Sequence, residues 1–210
     1  VKRTIMPRIT DDMPDFSAEG FNPDKLKSYK NIYIVACGTA MHAGMVGKYI
    51  IEKIARVSVT VDIASEFRYR DPLINEGDLM IAISQSGETA DTKAALELAK
   101  QAGADTMAIV NVKGSSIARE ADMVVYTHAG PEIAVASTKA FSVQCAGMYL
   151  IALKLAEVNN LMTNEQMKDF CDKFEQAIGT VEEVLKMDDY IKGISEKIKD
   201  TFSAFYLGRG

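Results

Sequence analysis

The segment Ser84-Gln85-Ser86-Gly87-Glu88-Thr89 follows an apolar run, Leu79 to Ile83, and precedes the helical pattern Ala90 to Ala102. Hydroxyls at Ser84, Ser86 and Thr89, the carboxamide of Gln85 and free backbone N–H groups around Gly87 converge on the positive end of that helix's dipole. Such a set suits a phosphate, held by neutral donors and a dipole with no lysine. Each hydrogen bond to a phosphate oxygen contributes about 1.5–3 kcal/mol, against about 0.3–1 kcal/mol for the dipole, so the number of donors sets the affinity. The competing reading is a capped helix, since Ser and Thr are common N-caps. One hydroxyl suffices for a cap, and this loop brings four neutral polar side chains.

Two other loops carry polar groups. Cys37-Gly38-Thr39 turns a first strand, Ile32 to Ala36, into a helix. The stretch His128 to Lys139, with Glu132, Ser137, Thr138 and Lys139, stands before a long helix and is placed to meet the non-phosphate part of a ligand. An ordinary loop with a capped helix and a solvated Lys139 explains that stretch equally well. Asn111 to Ser116 reads as a structural turn and cap. Cys37 as a nucleophile would need a base and an orienting partner, and His42, five residues on, is not placed to serve. A small buried residue at a strand end is the reading for Cys37. His42 and His128 read as structural, and Ser65 to Arg70 as a solvated loop, with an interface or lid as the alternative.

The composition narrows the class. Of 210 residues 48% are apolar, enough for a packed core, and the net charge of -5 is spread with both signs interspersed, which leaves no footprint for nucleic acid. An anionic ligand must therefore be held locally. Cys37, Cys145 and Cys171 lack disulfide or zinc spacing, so reduced thiols and a cytoplasmic setting are expected, with no metal and no cofactor. No apolar run of about 20 residues long enough to cross a bilayer is read, and no signal peptide. The start at Val1 suggests a piece of a longer chain.

Strands at Ile32–Ala36, Val57–Ile63, Leu79–Ile83, Thr106–Val110 and Met123–Tyr126 alternate with helices, which predicts a parallel sheet. The first helix, from about Ala40 to Ala55, is expected to bury Met41, Met45, Tyr49 and Ile50. The helix Ala136 to Glu157 is apolar nearly all round and is expected to pack on the sheet or on a partner in a dimer. Residues 1–21 show no periodicity and read as a linker or docking arm outside the core. Two amphipathic helices fill 163–201, and 202–210 repeats the strand and glycine-turn pattern seen at 34–39. In a flavodoxin-like strand order, the first strand neighbours the third, and the Cys37 and Ser84 loops then flank one crevice at the strand ends.

Four blocks, taken together, resemble the glutamine-fructose-6-phosphate aminotransferase (glucosamine-6-phosphate synthase) family. They are Ala36 to Thr39, Ala64 to Arg70, Ser84 to Thr92 and Glu132 to Phe141. The resemblance implies the first sugar-isomerase (SIS) lobe: an α/β, three-layer, five-stranded parallel flavodoxin-like sheet flanked by helices. It implies that residues 1–21 are a linker from a missing glutaminase domain, 22–162 the first SIS domain, 163–201 connecting helices and 202–210 the first strand of a truncated second SIS domain. Ser84, Gln85, Ser86 and Thr89 would hold the phosphate of fructose 6-phosphate or glucosamine 6-phosphate, with Thr39, Val135 and Ser137 near the sugar hydroxyls. Ala40 replaces a serine found in many members and loses a hydroxyl, while its backbone N–H still faces the ligand from a helix start. The base, the ring-opening histidine and the lysine of the family reaction belong to the second lobe, so no catalytic residue is expected here. The fragment would bind sugar phosphate and form a homodimer with little turnover. The alternatives are a non-catalytic sugar-phosphate sensor and a stand-alone sugar-phosphate isomerase.

Overall fold

The computed structural model describes residues 1–133 and 137–208. Five parallel strands form one sheet: β1 (Asn31–Ala36), β2 (Ser58–Ile63), β3 (Leu79–Ser84), β4 (Asp105–Val110) and β5 (Met123–Tyr126). Their order is β2-β1-β3-β4-β5. This is the flavodoxin-like order. All six residues of β3 are buried, as a central parallel strand requires when both faces are covered.

The register sorts the side chains into two layers. Val35, Ala82 and Ala108 stand side by side on one face, and Ile34, Ile81 and Met107 on the other. Helix α2 (Ala90–Gln101) covers the first face through Ala95, Leu96 and Ala99. Helix α1 (Thr39–Ile50) and helix α3 (Lys139–Val158) cover the second, where Gly44 abuts Ile34 and Gly147 abuts Ile109. The result is the expected three layers.

The buried face of α1 differs from expectation. Ala40, Ala43, Gly44 and Gly47 point inward, while Met45 is 44% and Tyr49 76% exposed. Close helix approach is the cause: a Cβ on Gly47 would lie 2.3 Å from Cε of Met148 in α3, so only a backbone surface fits there. The helix then runs into a π-helical turn, Ile51–Ala55, and ends at Arg56 in the left-handed region.

Helix α3 has the length and apolarity of a membrane span, contrary to the sequence reading that no such run exists. Twelve of its twenty residues are buried within the chain, which accounts for that apolarity as a core helix. It packs on α1 and its π-helical turn, so its burial needs no second copy.

The chain divides into two compact units, residues 1–172 and 173–210. In the first, residues 1–21 are no free linker. They form a short helix (Lys2–Ile5), a two-stranded ribbon (Ile9–Thr10 with Met13–Pro14) and two 3-10 turns. Ile5 and Phe16 are each 1% exposed. The Arg8 guanidinium is buried, pairing with Glu19 at 2.7 Å and donating to the Tyr126 carbonyl at 2.9 Å, and Thr4 donates to the Thr127 carbonyl. These pieces are too short to leave a periodicity, which is why the sequence reads as irregular.

Helix α4 (Asn164–Leu185) runs across the boundary between the two units. The second unit continues with α5 (Asp188–Ile198), whose Ile191, Ile194 and Ile198 are exposed. The strand expected at 202–207 is not formed: the segment is irregular, with Phe202, Phe205 and Tyr206 exposed. A strand needs a neighbour for its N–H and C=O groups, and among the described residues none pairs with this segment.

Candidate functional site

Because β1 and β3 are adjacent while α1 and α2 leave to opposite faces, their loops diverge around a gap at the carboxyl ends of the strands. A cleft of about 180 Å³ lies there. The loop after β1 supplies Cys37, Thr39 and Ala40, and the loop after β3 supplies Ser84, Gln85, Ser86 and Thr89. Ser137, just before α3, and Gln144, inside it, complete the polar lining. Thus every residue expected to bind a ligand lines this cleft except Val135, which lies outside the described residues.

The hydroxyl loop is held from within. Ser84 Oγ accepts from the Gly87 N–H at 3.0 Å and stands 3.0 Å from Thr89 Oγ1, and Ser86 Oγ accepts from the Glu88 N–H at 3.2 Å. Thr89 occupies the N-cap position of α2, yet its side chain makes no capping hydrogen bond. The capped-helix reading is therefore the weaker one. Gly38 is the N-cap of α1 and has no side chain to offer, so both helices present uncapped first turns to the cleft. No charged side chain lines it among the described residues, in keeping with a site built from dipoles and hydroxyls.

A second tier fixes these loops. Gly87 adopts φ +67° and touches buried Ser115. The Glu88 carboxylate accepts the Ser116 N–H at 2.8 Å, a bond that holds its pKa below the ordinary carboxylate value. Arg68 pairs with Asp91 in the first turn of α2 at 2.8 Å, and Arg70 with Asp62 at 2.6 Å. Since Phe67 is fully buried, the segment 65–70 braces α2 instead of forming a solvated loop or lid. Asn111 accepts from the Ala129 N–H at 2.7 Å and donates to the Gly130 carbonyl at 2.7 Å, which ties the loops after β4 and β5 together as a structural turn.

The third loop contributes less to the cleft than its polar residues suggested. Glu132 Oε2 accepts the Ala140 N–H at 3.2 Å and Lys139 donates to the Pro131 carbonyl, so both serve the helix start and neither lines the cleft. Among the described residues of that stretch, only Ser137 joins. Cys37 lines the cleft without a histidine beside it there, and His42 is exposed on α1. Exposed His128 borders a hollow with Arg3 and Lys113 that adjoins the cleft at Gln85, which lines both. Gln144 was not legible in the sequence, because a lone amide in a long apolar helix carries no local signature.

The SIS domain family model matches residues 25–154. The chain is 52% identical over 211 residues to the glutamine--fructose-6-phosphate aminotransferase [isomerizing] of Clostridium acetobutylicum, covering all of this chain and 35% of that protein. The protein of the same name from Clostridium tetani is 51% identical over 187 residues, 89% of this chain and 31% of its own length. The chain thus spans about a third of the curated relatives it matches. The structure of the C-terminal domain of glucosamine-fructose-6-phosphate aminotransferase from Francisella tularensis superposes with a TM-score of 0.94 at 40% identity, over all of this chain and 59% of that one. Glucosamine-6-phosphate deaminase from Thermotoga maritima, at 20% identity and a TM-score of 0.60 over 80% of this chain and 52% of its own, shares the fold.

Proposed function

The chain belongs to the SIS domain family, and from that membership we propose that its cleft binds the phosphate of fructose 6-phosphate or glucosamine 6-phosphate as one lobe of a glutamine-fructose-6-phosphate aminotransferase. The observation that carries this reading is the convergence of the Cys37 and Ser84 loops, each at an uncapped helix start, on one cleft lined by hydroxyls and amides. Backbone N–H groups of the two first turns, with Ser86 and Thr89, donate to the phosphate oxygens. Thr39 and Ser137 face the sugar, and the Ala40 backbone serves where a serine hydroxyl is missing.

The lobe binds and orients. Proton transfer between neighbouring sugar carbons needs a positioned acid or base, and among the described residues the only titratable group lining the cleft is the Cys37 thiol. The groups that open the ring and move the proton therefore come from elsewhere in the full enzyme, which also supplies the ammonia from glutamine. Residues 1–21 are, on this reading, the linker that joins a glutaminase domain to this lobe, docked here on the lobe's body, and the active assembly is a cytoplasmic homodimer.

Calorimetric titration of the chain with fructose 6-phosphate, glucosamine 6-phosphate and fructose tests the reading. Both phosphates bind and fructose does not. Ser86→Ala with Thr89→Ala removes two donors to the anion, and at about 1.5–3 kcal/mol each the phosphate esters lose at least a hundredfold in affinity. Unaltered binding in that double variant would place the anion elsewhere.

A further inference from the structure

Gln144 lies in α3, the helix that covers the β1 and β3 ends from the α1 side, and its side chain forms part of the cleft wall with Cys37, Ile83 and Ser84. The residue is only 2% exposed, and its Oε1 atom is buried with no hydrogen-bond partner. Unpaired buried amide oxygens are uncommon and costly, and one on a side chain that lines a cleft points to a donor supplied by what enters it. Gln144 differs in this from Ser84, the other buried polar residue of the cleft, whose hydroxyl already bonds within the loop.

Chemistry decides which part of a ligand this atom meets. An amide oxygen only accepts, and so do the oxygens of a phosphate dianion, so Oε1 cannot bind the group for which the hydroxyl loop is built. It requires an O–H or N–H. We propose that Gln144 Oε1 accepts a hydrogen bond from a hydroxyl of the sugar whose phosphate is held by the Ser84 to Thr89 loop, which makes it a specificity residue of the cleft. The proposal rests on the sugar-phosphate reading of that cleft. It divides the site by polarity: donors at the helix starts take the phosphate, and an acceptor on α3 reads the polyol.

The test is Gln144→Met, which keeps length and volume and removes the acceptor, titrated in the 210-residue chain with fructose 6-phosphate and with inorganic phosphate. Fructose 6-phosphate binding weakens about 5- to 30-fold, the scale of one hydrogen bond to a buried polar group, while inorganic phosphate binding changes less than about twofold. The melting temperature of the unliganded variant equals or exceeds that of the original chain, because an unpaired buried oxygen has been removed. Undiminished fructose 6-phosphate binding, equal losses for both ligands, or a lowered melting temperature would each overturn the proposal while leaving the phosphate site standing. Failure of the unsubstituted chain to bind fructose 6-phosphate overturns the functional reading, and this proposal with it.

Discussion

A Cβ built on Gly87 would lie 2.0 Å from Oγ of Ser115, the residue that starts a short helix after β4. The bend of the phosphate loop is thus set against a neighbouring strand's loop, and Gly87 at φ +67° is the only residue type that fits both the space and the backbone. Gly87→Ala is expected to destabilise the chain by about 2–4 kcal/mol, combining left-handed backbone cost with overpacking. Adding Ser115→Gly relieves the steric part and leaves the backbone part. Urea unfolding of the single and double variants measures both, and a cost for Gly87→Ala below about 1 kcal/mol would show that the loop has another conformation available.

The arm at 1–21 is docked by Phe16, which stacks on Phe21 at 4.6 Å between ring centres, and by the buried pair of Arg8 with Glu19. Phe16→Ala is expected to cost about 3–5 kcal/mol as a buried aromatic truncation. Arg8→Ala leaves Glu19 without its charge partner and removes donors to two backbone carbonyls, a loss of about 3–5 kcal/mol. Denaturant unfolding checks both. Midpoints within error of the original would mean that the arm adds nothing to the body it covers.

Exposed His128 gives the chain a pH dependence of defined sign. Loss of water around the ring first, then the positive charges of Arg8 and Lys113, hold its imidazole below the usual 6.5. The unfolded chain then binds more protons than the folded one in the interval between the two pKa values, so stability is full above pH 6.5 and falls as pH drops through that interval. His128→Asn, chosen because Asn tolerates the φ of +53° at this position, should melt with a smaller difference between pH 7.5 and 5.5 than the original chain. An equal difference would assign the acid sensitivity to other groups.

The strands and the main helices were legible because each writes a local period into the sequence: β5 spans Met123–Tyr126 as read, and α2 ends one residue before the expected Ala102. The inward face of α1 was not, since Met45 and Tyr49 outrank Ala43 and Gly47 in hydrophobicity while α3 approaches too closely for anything larger than glycine or alanine. Gln144 escaped for a related reason. Its burial and its unpaired oxygen arise from what α3 lies against, and no residue near it in sequence records that.

By itself the sequence determined the units: strand, hydroxyl-rich loop and helix, repeated, with the donors for an anion concentrated between residues 84 and 89. Those features rest on backbone propensity and side-chain chemistry within a few residues, so they are present in any linear reading. The tertiary structure alone decided which loops meet, that the arm belongs to the body, and that 202–207 is not a strand here. Each depends on contacts between residues far apart in the chain, where steric fit and the pairing of backbone groups override local preference.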